Sequence, residues 1–332
     1  MTTPKEEMIR ALAHEPALEQ IPLWELEFHL WDRFSDKPFR MGEEFARLTA
    51  AEQRQAVETN AEVMAEVCDR LGFAALTIPG GYWEVAPGIP AYYWLPEQHR
   101  MELARLLEEE IGDRTLLIAN TGGVMAIPDA DRYVEFSYLL FDDPEQVDRM
   151  AQEKSDLGMR SMERFADLGY RCALAAADLA DSHGPYFSPE QMDRYIYPYL
   201  RRFAEHAASL GMYSILHSDG NITPFLDRIA ECGIDAVQAL DPIAGMEIVP
   251  TQRNFGDRLT VCGNIDCGLL LTAPPEEIYR STHDLLLACR GQGSFALGAS
   301  NAVQREVPPE NYMALIKAHR EYAKMKRERT FV

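Results

Sequence analysis

Short apolar runs recur along the chain, each followed by a polar or Gly/Pro turn and then by a longer stretch with apolar residues at helical spacing. Eight such runs stand out: IPLWELEF from Ile21, FAALTIP from Phe73, TLLIAN from Thr115, CALAAAD from Cys172, MYSILH from Met212, IDAVQAL from Ile234, LTVCGNI from Leu259 and SFALGAS from Ser294. The periodicity between them predicts helices over 43–70, 96–110, 144–168, 189–210, 223–231, 275–290 and 309–327. Several open on Ser-Pro-Glu, Asp-Pro-Glu or Pro-Pro-Glu, where proline suits the first turn and the acid suits the positive end of the helix dipole. Strands that alternate with helices pair in parallel, so eight units in 332 residues predict an α/β fold, a (β/α)8 TIM barrel with an N-terminal helical extension. A doubly wound open sheet is the other arrangement this alternation allows. No strand is followed by GxGxxG or GxxxxGK[ST], the glycine loops that commonly mark a nucleotide-binding sheet. No Pro-, Gly- or Ser-rich linker divides the chain, so 1–332 is expected to be one domain, with a helix in 1–20, barrel strands within 21–300 and a final helix over 309–327.

Composition narrows the partners. Lys and Arg number 32 against 53 Asp and Glu, a net charge of −21. Such a surface cannot neutralise phosphates by counterion release and is repelled by anionic lipid headgroups, so neither nucleic acid nor a membrane is an expected partner. Hydrophobic residues at 47% suffice for a large core. The N-terminal stretch MTTPKEEMIRALAHEP lacks the apolar run of a secretory signal, and no window approaches the roughly 18 apolar residues of a membrane span, so a cytoplasmic protein is expected. Its 6 cysteines are scattered without a CxxC pair and read as reduced core residues.

In a barrel the carboxyl ends of the strands share one mouth, where active sites sit. The ends here carry Glu25, Glu27 and His29; Asn120 and Thr121; Asp178 and Asp181; His217 and Asp219; Asp241; Asn264 and Asp266; Ser300 and Asn301. Loop beginnings are polar in any protein, but carboxylates and imidazoles are in excess here. In LHSDGNI, His217 and Asp219 point to the same side of an extended segment and can share a metal, a ligand or a proton, unless His217 is only hydrogen-bonded in the rim. In ADLADSHG, Asp178, Asp181 and His183 either group closely enough to raise one carboxyl pKa and furnish a general acid, or cap the next helix. WELEFHLW alternates Glu25, Glu27 and His29 with Trp24, Leu26 and Phe28. Three ionisable groups on one strand face are costly unless that face looks into a wet or metal-bearing mouth. The loop GYWEVAPGIPAYYW gathers Tyr82, Trp83, Tyr92, Tyr93 and Trp94, enough aromatic surface to wall a flat ligand or to pack on the barrel edge.

From about Ala175 to Ala323 the chain resembles the uroporphyrinogen decarboxylase superfamily, in GPYFSPEQMDRYIYPYLRRFAEHAASLGMYSILHSDGNI, ECGIDAVQALDPIAGMEI, FGDRLTVCGNID and GASNAVQREVPPENYMALIKA. The resemblance implies a (β/α)8 barrel, in agreement with the strand count. The superfamily holds decarboxylases of uroporphyrinogen III and corrinoid-dependent methyltransferases. The decarboxylases carry an arginine-rich RQAGR-type motif after the first strand and a catalytic aspartate in an FSDI-like sequence ending the second, where this chain reads WELEFHLW and LTIPGG. A carboxylate-rich mouth also opposes an octa-anionic porphyrinogen and points to a neutral or cationic small substrate. Thiol-methylating relatives hold zinc with His-x-Cys and a later Cys; His217-Ser218-Asp219 and Ala299-Ser300-Asn301 keep the histidine and lack both thiolates. What remains, His217 with Asp219 and Glu27 or His29, is a harder nitrogen and oxygen set.

The resemblance therefore implies a methyltransferase that moves a methyl group from a small methoxylated, aromatic compound to a corrinoid carried by a partner protein, as in an O-demethylase, with zinc as the expected metal. It implies catalytic roles for His217, Asp178, Asp181 and Glu27, substrate contacts from Trp24, Tyr82, Trp83, Asn120, Asp241 and Asn301, and metal ligation by His217 and Asp219. The alternatives it leaves are a uroporphyrinogen decarboxylase of porphyrin biosynthesis and a non-catalytic corrinoid- or porphyrin-binding protein.

Overall fold

The computed structural model describes residues 2–79, 84–86, 89–129 and 131–330. Seven parallel strands, β1 (Ala75–Thr77), β2 (Leu116–Asn120), β3 (Cys172–Ala176), β4 (Tyr213–His217), β5 (Ala236–Gln238), β6 (Thr260–Ile265) and β7 (Phe295–Ala299), form one curled sheet whose spatial order is their chain order. Around it run α1 (Pro4–Leu12), α2 (Ala50–Leu71), α3 (Glu97–Ile111), α4 (Tyr133–Asp142), α5 (Pro144–Asp167), α6 (Tyr197–Ser209), α7 (Ile248–Phe255), α8 (Pro275–Ala288) and α9 (Pro309–Thr330). Among the described residues no helix is long and apolar enough to cross a membrane. All six cysteines are free thiols, and all but Cys267 are buried.

Two apolar clusters follow from the alternation of strand side chains. Inward residues such as Ile118, Leu174, Ile215 and Cys262 form the smaller one, closed at its N-terminal end by Met8 and Leu12 of α1. A larger cluster fills the layer between sheet and helices. Helix α1 is fixed by a capping box, Thr3 with Glu6, and by the Thr260 hydroxyl donating to the Ala11 carbonyl. The helical extension thus covers Pro4–Leu12 rather than all of 1–20.

The expected first strand is corrected. Residues 22–28 lie between β7 and the start of β1 but make only isolated bridges, Leu23 with Leu297 and Phe28 with Val303. On one side Trp24 N–H donates to the Leu297 carbonyl and Leu297 N–H to the Pro22 carbonyl, both at 2.9 Å; on the other, Ala74 N–H donates to Leu23 at 2.8 Å. The next amide in that row of β7, Ala299 N–H, donates to a side chain, Oε2 of Glu25 at 2.8 Å, and Tyr312 Oη–H donates to Oε1 at 2.9 Å. The Trp24 carbonyl meanwhile rests on Gly298, where a Cβ would collide with it. Backbone pairing resumes at Val303 N–H to Glu27 and His29 N–H to Val303, both 2.9 Å. The interruption breaks the side-chain alternation. Trp24 and Leu26 face the inner cluster and Phe28 the helical layer, Glu25 is buried against Tyr312 of α9, and Glu27 and His29 line a cavity. The three ionisable groups therefore do not share one face.

Two predicted helices are also interrupted. The segment 43–70 divides into Gly42–Ala46 and α2 because Thr49 and Glu52 form a capping box that starts a new helix. Within 189–210 the turn Met192–Ile196 widens to π geometry just before Pro198, which has no N–H to return to the preceding turn. The helices Tyr133–Asp142, Ile248–Phe255 and Cys267–Thr272 were not anticipated.

The seam around Glu25 yields two expectations. Gly298→Ala should lower stability by about 1–3 kcal/mol, read as a lower urea midpoint; an unchanged midpoint would mean that the Trp24 carbonyl has room to retreat. Burial pushes the Glu25 carboxyl from 4.5 up to about 8, against the hydrogen bonds from Ala299 and Tyr312. The folded chain thus holds this proton more tightly than the unfolded one, and the penalty is absent below pH 4.5 and grows until the folded-state carboxyl ionises near pH 8. Glu25→Gln, neutral throughout, should gain stability relative to the parent chain as pH rises across that window, by up to about 1.4 kcal/mol per pH unit. Urea titrations at the two ends of the window measure the difference, and a pH-independent one contradicts the assignment.

Candidate functional site

His217 ends β4 and is buried, and Gln238 ends β5 beside it. The Gln238 amide nitrogen donates to the carbonyls of Ala299 at 3.3 Å and Ser300 at 3.4 Å, which turns Oε1 toward His217 Nδ1 at 2.5 Å. An amide oxygen only accepts, so Nδ1 carries the hydrogen and Nε2, on the other side of the ring, is the nitrogen left for a metal or a proton. There Nε2 lies 3.5 Å from Asp178 Oδ1 and 3.8 Å from Asp219 Oδ1.

The two carboxylates are held by their own loops. The Asp219 backbone N–H donates to Asp178 Oδ1 at 3.0 Å, and Asn301 Nδ2 donates to Asp219 Oδ2 at 2.6 Å. Ser218, between His217 and Asp219, points away and accepts from Leu179 N–H at 2.9 Å. Gly220 completes the turn at φ +79, with the Ala180 carbonyl where a Cβ would stand. The remaining oxygen, Asp219 Oδ1, is buried without a hydrogen-bond partner. Burial raises the Asp219 pKa above its ordinary value; the charges of Asp178 and Asp241 add to this, and His217 and the Asn301 hydrogen bond oppose it.

One ligand atom each of Asp178, His217 and Asp219 lies within 4.8 Å of the others. An orphaned carboxylate oxygen, a second carboxylate and an imidazole with its far nitrogen already committed fit a divalent cation with hard or borderline ligand preference, zinc included.

Two cavities meet at this cluster and share Ala176, Asp178 and His217. The first, of about 540 Å³, is walled by Glu27, His29, Tyr92, Tyr93, Asn120 and Asn301 among others. In it Glu27 Oε2 pairs with His29 Nε2 at 3.0 Å, and the His29 ring packs on Tyr92 and Tyr93 with centroids 5.0 and 4.8 Å away. Arg305 stacks over Tyr92 at 4.5 Å while paired with Asp32 at 3.2 Å. The second, of about 490 Å³, is bounded by Met125, Ile127, Asp129, Arg132 and Phe136 and by Met150 and Lys154 of α5.

Of the residues singled out in the sequence, His217, Asp178, Asp219, Glu27, Asn120 and Asn301 are brought to these cavities. Trp24 is not: it is 2% exposed, sits in the inner cluster and donates its Nε1–H to Thr77 at 2.9 Å. Asp181 faces outward and accepts from the amides of His183 at 2.7 Å and Gly184 at 3.1 Å in a tight hairpin. Asp241 caps the turn Pro242–Ala244 through Ile243 N–H at 3.1 Å and reaches the cluster only through its charge. Tyr82 and Trp83 lie outside the described residues. The sequence reading missed Gln238, because it took IDAVQAL as one strand ending near Asp241 whereas β5 ends three residues earlier. A polar residue inside an apolar run was the available signal.

Comparisons with known proteins agree with this architecture. A curated uroporphyrinogen decarboxylase of Syntrophotalea carbinolica is 25% identical over 65% of this chain and 62% of that protein. A methylcobamide:CoM methyltransferase, MtaA, of Methanosarcina barkeri is 23% identical over 67% of this chain and 63% of that protein. The chain thus spans a little under two thirds of the length of these curated relatives. Among solved structures, a methyltransferase from Methanosarcina mazei superposes with a TM-score of 0.68 at 18% identity, over 97% of this chain and 99% of that one, which shows a shared fold. The family model described as Uroporphyrinogen decarboxylase (URO-D) matches residues 96–322, more than half of the sequence, and the chain belongs to that family.

Proposed function

We propose that this protein is a corrinoid-dependent methyltransferase that takes a methyl group from a small methoxylated aromatic compound and passes it to a cobalamin held by a partner protein. The observation that carries the reading is the Asp178, His217, Asp219 cluster with its Gln238-oriented imidazole and orphaned Asp219 oxygen. Methyltransferase relatives in the same family support it.

The chemistry asks for a stabilised leaving group. In the balanced reaction the methyl–oxygen bond of an aryl ether breaks, the methyl passes as a cation equivalent to cob(I)alamin, which becomes methylcob(III)alamin, and the aryl oxygen leaves with the bond pair and takes up one proton. A divalent ion such as zinc, when bound, would draw electron density from the ether oxygen. Asp178, His217 and Asp219 would hold it, with Gln238 fixing the ring that donates Nε2. Glu27 and His29, hydrogen-bonded to each other in the same cavity, relay that proton from solvent to the departing oxygen. Tyr92 and Tyr93 flank the ring, and Asn120 and Asn301 contribute polar contacts to the substrate. Asp181 and Trp24 have no part in this assignment, since neither reaches the cavity.

Uroporphyrinogen decarboxylation is the second reading, favoured by the name of the Syntrophotalea relative. The first cavity opposes it: among the described residues Glu27, Asp178, Asp219 and Glu306 line it with Arg305 as the one Lys or Arg, a poor receptor for many carboxylates.

Purified protein incubated with cob(I)alamin and a panel of methoxylated aromatics should form methylcobalamin, seen by its absorption spectrum. His217→Ala should abolish the reaction, and Gln238→Met should lower metal affinity about 10- to 100-fold, measured by elemental analysis after dialysis. No methyl transfer across the panel, with coproporphyrinogen formed from uroporphyrinogen instead, would replace this reading by the second.

A further inference from the structure

The exit of β7 steers two residues of the cluster at once. The carbonyls of Ala299 and Ser300 hold the Gln238 amide at 3.3 and 3.4 Å, and Gln238 in turn holds His217 Nδ1 at 2.5 Å. Two residues on from Ala299, Asn301 Nδ2 donates to Asp219 Oδ2 at 2.6 Å. Whatever fixes the path of 299–301 therefore fixes the imidazole and one carboxylate together. Both contacts to Gln238 lie beyond the roughly 3.2 Å that bounds ordinary N–H to O hydrogen bonds, so a further displacement of a few tenths of an ångström releases it.

One edge of that path is held by an ordinary ladder bond, Ser300 N–H to the Ile265 carbonyl at 2.8 Å. Along the other edge the segment 22–28 makes only isolated bridges, and the Ala299 N–H rests on the Glu25 side chain. A backbone acceptor is fixed by its own strand, whereas a carboxyl group turns about its side-chain torsions and needs a second restraint. Tyr312 supplies it through Oη–H to Glu25 Oε1. The tyrosine is itself immobilised: it is wholly buried, and its ring packs on Phe28 with centroids 4.8 Å apart. Beside it, Asn311 Nδ2 donates to the carbonyls of Leu270 at 2.9 Å and Ala273 at 3.0 Å, which pins the first turn of α9 to the helix Cys267–Thr272 and the residue after it.

We propose that Glu25 and Tyr312 are positioning residues for the cluster: through Ala299 and the exit of β7 they hold the Gln238–His217 pair and the Asn301–Asp219 pair in place, and so set the affinity for a divalent cation. Neither residue lines either cavity. A hydrogen bond made in the interior by α9 thus reaches the site through four successive contacts. The consequence for affinity rests on the reading of Asp178, His217 and Asp219 as metal ligands, while the hold on the His217 ring does not.

Two readouts on the whole chain test this apart from turnover. One is zinc affinity, by competition with a chromophoric chelator. The other is the exchange rate of the His217 Nδ1 proton in metal-free protein labelled with 15N-histidine, its resonance identified by its loss in His217→Ala. Glu25→Leu should weaken zinc about tenfold and Tyr312→Phe about threefold, at or below the low end for residues that touch a ligand directly, and the Nδ1 proton should exchange faster in both. Glu25→Gln, whose amide oxygen still accepts from Ala299, should stay within about twofold of the parent in both readouts. In a Gln238→Met background Tyr312→Phe should cost less zinc affinity than it does in the parent, because part of its route is already cut. Urea midpoints recorded alongside confirm that each variant is folded, and Tyr312→Phe serves where Glu25→Leu is not. A lowered midpoint with zinc affinity and proton exchange unchanged assigns the pair to core packing alone and overturns the proposal, as does a Glu25→Gln variant as impaired as Glu25→Leu. Faster Nδ1 exchange in the variants of a chain that binds no zinc upholds the hold on His217 and removes the metal from the proposed function.

Discussion

Glu25 is a carboxyl group shut away from water, and the geometry of the mouth hangs on it. Its Oε2 takes the Ala299 amide that a regular neighbouring strand would have taken with a backbone carbonyl. The Ala299 carbonyl in turn accepts from Gln238, and Gln238 accepts from His217 Nδ1. One hydrogen-bonded row therefore runs from an interior acid through the end of β7 to the imidazole at the centre of the site. The same interruption releases Glu27 and His29 from strand alternation and turns them to the cavity. Burying an ionised carboxylate here would cost several kcal/mol, and a pKa pushed up to about 8 means that the group is mainly neutral at neutral pH. The fold tolerates the acid because both oxygens are hydrogen-bonded and the proton is retained.

The cluster at the far end of that row works by the opposite logic. Asp178 and Asp219 approach the same Nε2, and the amide of one braces the carboxylate of the other. Like charges this close repel, and burial with neighbouring charge already raises the Asp219 pKa. A cation or a proton between them relieves the repulsion. Interior neutrality at Glu25 and concentrated charge at Asp219 thus belong to one structure: the first builds the wall, the second makes the site reactive toward a Lewis acid.

Much of this was legible in the chain, and the failures have physical causes. Seven of the eight apolar runs are ladder strands because their patterns agree with parallel pairing throughout. The eighth failed because a buried side chain replaced a ladder acceptor, which no periodicity reports. His217 and Asp219 were found by their i, i+2 spacing on a strand exit. Asp178 and Asp181 looked equivalent three residues apart, but a two-residue hairpin, Ala180–Asp181 with Gly184–Pro185, carries the second outward. Thr49 and Glu52 spelled a capping box that the longer helical pattern obscured. Gln238 carries no charge and sat within an apolar run, so only its three-dimensional neighbours, the Ala299 and Ser300 carbonyls and the His217 ring, disclose its role.

Net charge is a coarser guide than the lining of a cavity. A balance of −21 sums groups spread over the whole surface, where ion pairs and salt screen each one within roughly 8 Å. That sum bears on large polyanions, which must face many carboxylates at once. It says little about a cavity, where the field comes from the few groups that line it and from whether each already has a partner. On helix α5 Asp148, Asp156 and Arg164 are ion-paired at the surface, while Lys154 lines the second cavity. The electrostatic preference of each cavity is therefore set by the few charges that line it and by how the fold holds them, and the sum over the chain does not decide it.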